Sequence, residues 1–215
     1  MLDGFVERCI AELTAVDDGA ALDHAREEFD RRAGPFEVGD RCYEERISFF
    51  FEQFLCDRGG AQRWLEHHPD ASHEERRAVR AMSTSARSLY AVAASERGEV
   101  TLDDRLGGGR FVLAASGPAE RLAPGEVFDG RLVVLDDVEL MRGIIFHPHD
   151  THEALEALLE AITPLDGARE PILDGLLRMR MRLERFTSIR ARHIYRPEAL
   201  DDPDILSAGW ARKAP

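Results

Sequence analysis

From residue 2 to residue 13 apolar side chains return every three or four positions. Leu2, Phe5, Val6, Cys9, Ile10 and Leu13 therefore share one face of an amphipathic helix. GAALDHAREEFDRR predicts a second helix, with Leu22, Ala25 and Phe29 on its apolar stripe and Gly34-Pro35 at its end. A third runs from Asp40 to about Asp57, carrying Tyr43, Ile47, Phe50, Phe51 and Phe54 near one face. Phe49, Phe50 and Phe51 are consecutive and sweep about half of the helix circumference, so burial on two sides is expected. After a short helix around AQRWLEHH, Ser72 and Glu75 stand at capping-box spacing. The helix they begin is predicted to run to about Glu96 through Val79, Met82, Ala86, Leu89 and Val92.

At Gly98 the period changes to that of extended chain. VTLDDRL, RFVLAAS, EVFDGRLVVL and VELMRGIIF are β-rich runs separated by Gly, Pro and Asp turns. Helical spacing resumes at Asp150, where Asp150 and Glu153 repeat the capping spacing ahead of Leu155, Leu158, Leu159 and Ile162. The last helix aligns Ile172, Leu176, Met179, Leu183 and Phe186. The expected class is α+β: a helical module over 1–97, a small antiparallel sheet or barrel over 98–147, and a closing helical pair over 148–196. An extended tail, 197–215, follows, with Trp210 docked on the body.

A chain of 215 residues can bury enough surface to need neither disulfide nor metal for stability. Its net charge of −13 makes the molecule as a whole a poor candidate for non-specific binding of nucleic acid or anionic lipid, although a local basic surface could still act. Charge is nevertheless polarised: residues 169–196 hold eight arginines against Glu170, Asp174 and Glu184, while residues 1–35 hold nine acids against four arginines. Arg178, Arg182 and Arg185, at steps of four and three, form a candidate stripe for phosphates or for an acidic protein patch. The termini packing together would compensate the same charges. Cys9, Cys42 and Cys56 share no metal or redox spacing and sit among apolar residues, as reduced cysteines do. With an acidic N-terminus and no apolar run approaching 18 residues, a cytoplasmic, non-membrane protein is expected.

His147, His149 and His152 are the candidate metal ligands. Their spacing resembles the H-x-H-x-D-H motif of the metallo-β-lactamase fold, but Asp150 stands one place early and only His193 remains as a later histidine. The other reading is that His147 ends a strand, Pro148 blocks its continuation and Asp150 caps the following helix. Gly107–Gly109 could cradle phosphate, but a strand follows where a helix would be needed, so a hairpin turn is expected. The pairs Asp103–Asp104, Asp136–Asp137 and Asp201–Asp202 read as solvated turns. No G-x-S-x-G, Walker, H-E-x-x-H or dinucleotide pattern occurs.

ISFFFEQFLCDR, SARSLYAV, GRLVVL, GIIFHPHDTHEAL and RARHIYR together resemble a set of uncharacterised bacterial proteins with helical N-terminal and β-rich central parts. The resemblance implies no catalytic residue and no substrate. The leading expectation is thus a non-catalytic cytoplasmic adaptor or regulator that recognises another protein, with no cofactor and with self-association left open. A nucleic-acid binder using the β module and the arginine helix is the first alternative. A metal-dependent enzyme at His147, His149 and His152 is the second.

Overall fold

The computed structural model of the chain describes residues 2–15, 19–164, 169–185, 189–196 and 210–212. The fold is α+β. Helices α1 (Leu2–Ala15), α2 (Gly19–Ala33), α3 (Tyr43–Asp57), α4 (Gly60–His67) and α5 (His73–Ser83) precede an antiparallel sheet. Its strands are β1 (Ala86–Glu96), β2 (Glu99–Asp104), β3 (Arg110–Ala114), β4 (Val127–Val134), β5 (Val138–Leu140) and β6 (Ile145–His147). The order is β3-β2-β1-β4-β5, and β6 pairs with β4 beside Val127–Asp129 while β5 takes Leu132–Val134. Helices α6 (His152–Ala161) and α7 (Arg169–Arg185) follow, and strand β7 (Ile162–Pro164) pairs with β8 (Trp210–Arg212). That short strand is the described part of the expected tail; the Trp210 side chain and the rest of 197–215 lie outside the described residues.

The helix expected from Ser72 to Glu96 is shorter than predicted, and the sheet starts at Ala86 rather than at Gly98. Ser72 does form the capping box with Glu75. At the other end the hydroxyls of Ser83, Thr84 and Ser85 donate back to the carbonyls of Val79, Arg80 and Met82, at 3.0, 3.2 and 2.5 Å. These bonds occupy the last acceptors of the helix, and the chain leaves as β1. Ala86, Leu89 and Val92 keep a helical interval by coincidence. Ser88, Leu89, Tyr90 and Val92 are all buried, and a strand covered on both faces carries no alternation to betray it.

VELMRGIIF likewise divides into two short strands. Between them Gly143 donates its amide to the buried Glu52 carboxylate of α3 at 2.6 Å. A Cβ at Gly143 would lie 2.9 Å from the Phe49 Cα, so only glycine fits this approach.

Among the described residues three apolar cores follow from the layering. The N-terminal helices gather Phe5, Phe29, Phe50, Phe54, Trp64 and Met82 into one of them. The curled sheet encloses Tyr90, Leu102, Phe128 and Leu132. Helices α6 and α7 close over the other sheet face through Leu155, Leu158, Ile172 and Leu176 against Leu89 and Val127. Phe49 and Phe50 are buried and Phe51 is half-buried, as the triple phenylalanine requires. Guanidinium groups fasten the end of α2: Arg46 donates to the carbonyls of Gly34 and Pro35, and Arg178 to those of Arg31 and Arg32. Among the described residues no helix is long and apolar enough to cross a membrane.

Candidate functional site

Antiparallel pairing sets Arg87 opposite Arg131 and Leu89 opposite Asp129. Because successive side chains alternate between faces, these residues line the sheet face that α7 and α3 cover. Charge is thereby placed where an apolar layer would be expected.

Arg87 is the hub of that layer. Its Nε and Nη2 donate to both oxygens of Asp129 at 3.1 and 2.7 Å, and its Nη1 donates to Asp174 of α7 at 2.7 Å. The guanidinium also lies over the Phe49 ring, 4.1 Å from its centroid. Side-chain exposure is 5% for Arg87 and 1% for each carboxylate, so the triad is dry. Asp174 takes a second guanidinium from Arg32 of α2 at 2.9 Å. Toward the surface, Arg32, Gln53 and Arg58 converge on one oxygen of Glu170, and Arg58 also reaches Glu28 at 3.0 Å. On the next rung Arg131 pairs with Asp57 and donates to the Ser85 hydroxyl at 2.9 Å.

Burial pushes the Asp129 carboxyl up to about 6, against the pull of Arg87. Burial also works against the Arg87 cation, but Asp129 and Asp174 outweigh it and raise its pKa. Both carboxylates are therefore held as ion-pair partners by the one guanidinium. This arrangement positions helices on a sheet; it offers no acid and base facing a common substrate space.

The three candidate histidines do not converge. His147 is buried, and its Nδ1 meets the Tyr195 hydroxyl at 2.9 Å. His152 turns its Nε2 to the His147 carbonyl at 2.9 Å, and His149 is exposed. Among the described residues no group of three or more His, Cys, Asp or Glu could hold a metal ion. Asp150 is not the helix cap that the spacing suggests: it is exposed within a one-turn 3-10 helix, His149–Thr151, which leads straight into α6. The first bonds of that turn go from the Thr151 amide and hydroxyl to the Pro148 carbonyl, at 2.8 and 2.6 Å.

The glycine turn is a hairpin between β2 and β3, and one Asp104 oxygen accepts the amides of Leu106 and Gly107 at 3.0 and 2.8 Å. Those donors are thus already satisfied. In the arginine helix, Arg178 spends its guanidinium on the end of α2, Arg180 donates to the Phe146 carbonyl at 2.8 Å, and Arg182 is half-buried. The Arg185 side chain lies outside the described residues. Burial raises all three thiols, Cys9 to about 12 and Cys56 to about 11, so none is an activated nucleophile.

Among the concave surfaces of the described residues, one combines apolar and charged side chains from three elements. α1, α5 and the β4–β5 turn enclose a cleft of about 340 Å³ with Leu2, Phe5, Ala78 and Leu135 on its floor. The ion pairs Arg8–Glu75 and Arg77–Asp136 bridge its walls.

A family model described as Family of unknown function (DUF7986) matches residues 46–165, more than half of the chain. The chain belongs to that family. No curated protein and no solved structure matches it. The DUF7986 segment supplies Arg87, Asp129, Arg131, Gln53 and Arg58 to the charged layer. Arg32, Glu170 and Asp174 come from α2 and α7, outside the matched residues.

Arg87, Asp129 and Asp174 were not legible as a site. The available signal is a charge inside a run of buried strand residues, as in SARSLYAV and VFDGRLVV.

Proposed function

We propose that the chain is a non-catalytic adaptor or regulator of a bacterial-type cytoplasm, acting by recognition of another protein. One observation carries this reading: the two most buried carboxylates among the described residues, Asp129 and Asp174, are both taken by Arg87. Surface chemistry is left to recognition, and the cleft between α1 and α5 combines an apolar floor with a rim of both charge signs. Interfaces of that composition place anchors at the centre and polar pairs around them. Three free thiols suit a reducing compartment.

The test is site-specific photo-crosslinking in native extract, with the reactive side chain at Glu74 on the cleft rim and, as a control, at the exposed Arg192. One protein captured from Glu74, absent from Arg192 and competed away by unlabelled chain, is the expected result. Equal or absent capture at the two positions would refute the reading.

A further inference from the structure

His147 is a buried imidazole with an unfilled demand. Its Nδ1 is engaged by Tyr195, while its Nε2 is buried without any hydrogen-bond partner. The ring meets the Tyr195 ring edge-on, centroids 5.7 Å apart. This contact joins the end of β6 to the 3-10 turn Ala191–His193 and its continuation, whose Ala191, Ile194 and Tyr195 are buried against Leu155 and Leu158 of α6 and Ile172 of α7.

The surroundings do not welcome a second positive charge. From α7, Arg180 acts on His147, and its own charge is taken by Glu184. From α6, His152 opposes a charge on His147 when it is itself charged. Tyr195 faces it from the C-terminal turn, and Asp150 and Glu184 act on that tyrosine rather than on the imidazole. His149 lies outside, exposed beside His152. Among the described residues no carboxylate acts on the imidazole to receive an imidazolium.

We propose that the His147–Tyr195 contact is an acid-sensitive latch: protonation of His147 releases the segment 189–196 and uncovers the apolar face of α6 and α7 beneath it. In the closed state burial, Arg180 and His152 hold the imidazole down to about 3. Released to water it regains an ordinary value of about 6.5, so the open state binds the proton preferentially. The opening constant then rises about ten-fold per pH unit as pH falls from about 6 toward 3. The latch rests on the His147–Tyr195 contact and not on the adaptor reading.

Hydrogen exchange of the full chain, corrected for intrinsic rates and read at residues 189–196 between pH 7.5 and 5, measures this constant. The expected result is a rise of more than ten-fold over that range in the wild type and a flat profile in His147→Gln. A flat wild-type profile, or the same pH dependence in His147→Gln, would overturn the latch. Should His147→Gln fail to fold, NMR titration of the wild-type His147 ring decides. Resistance to protonation down to the onset of 189–196 exchange supports the latch, and titration near 6.5 without added exchange overturns it.

Discussion

Arg87 Nη1 lies 2.7 Å from Asp174 Oδ1, so one hydrogen-bonded ion pair ties the first strand of the sheet to α7. The same Asp174 holds Arg32 of α2. Asp174→Ala removes the acid that both guanidinium groups share and leaves buried positive charge in excess. A loss of about 3–5 kcal/mol is expected from breaking a buried pair on one side. Urea unfolding of the variant beside the wild type measures it; a change under 1 kcal/mol would show that the layer is not under charge balance.

Glu170 gives a pH-resolved test of the outer layer. Burial alone would raise its carboxyl, but Arg32, with Arg58 and Arg87, outweighs it and the pKa is lowered. A carboxyl lowered on folding contributes stability above its unfolded value of about 4.3, and that contribution is lost as pH falls through the folded value. Glu170→Gln should therefore destabilise at pH 7, by at most about 1 kcal/mol given the partial exposure, and match the wild type near pH 2. Thermal melts at the two pH values decide.

Gly143→Ala adds a methyl 2.9 Å from the Phe49 Cα and 2.8 Å from a Glu52 oxygen. Backbone cannot yield as a side-chain tip can, so a cost of about 1–3 kcal/mol is expected from overpacking. Gly4→Ala, with nothing within 4 Å of its added methyl, is the matched control in chemical denaturation.

Ser72→Ala removes the reciprocal cap of α5, in which Ser72 accepts the Glu75 amide at 3.2 Å and Glu75 accepts the Ser72 amide at 2.7 Å. The expected loss is about 1 kcal/mol. It should appear first as faster amide exchange in the opening turn of α5, since the cap secures that turn directly.

The parts of this fold that were legible are those whose environment is one-sided. α1 and α6 each keep an apolar stripe on one face, and their periodicity announces it; α3, buried on two sides, announces itself by its density of phenylalanine. β1 was hidden because both of its faces are covered, and its interval of three between Ala86, Leu89 and Val92 mimics a helix. The capping box at Ser72 was readable since it is local, whereas the Asp150 spacing misled because the 3-10 turn after Pro148 displaced the helix start. The charged layer is a matter of long-range register. Arg87, Asp129 and Asp174 meet only once two strands have paired and a helix has folded over them. The polarised termini did carry a trace of it: Arg32 of α2 and Asp174 of α7 join across that very divide, although in the reverse of the gross charge pattern.

That layer also sets a timetable for the growing chain. When synthesis has reached residue 165, the end of the DUF7986 match, Arg87 and Asp129 are both present, but the acid on the other side of Arg87 is still to be made. α2, made early, has the carbonyls of Arg31 and Arg32 waiting for Arg178. Such distant partners make closure slow relative to local helix formation. Until α7 is made, the charged layer lacks the second acid of Arg87, and the arrival of that helix supplies it.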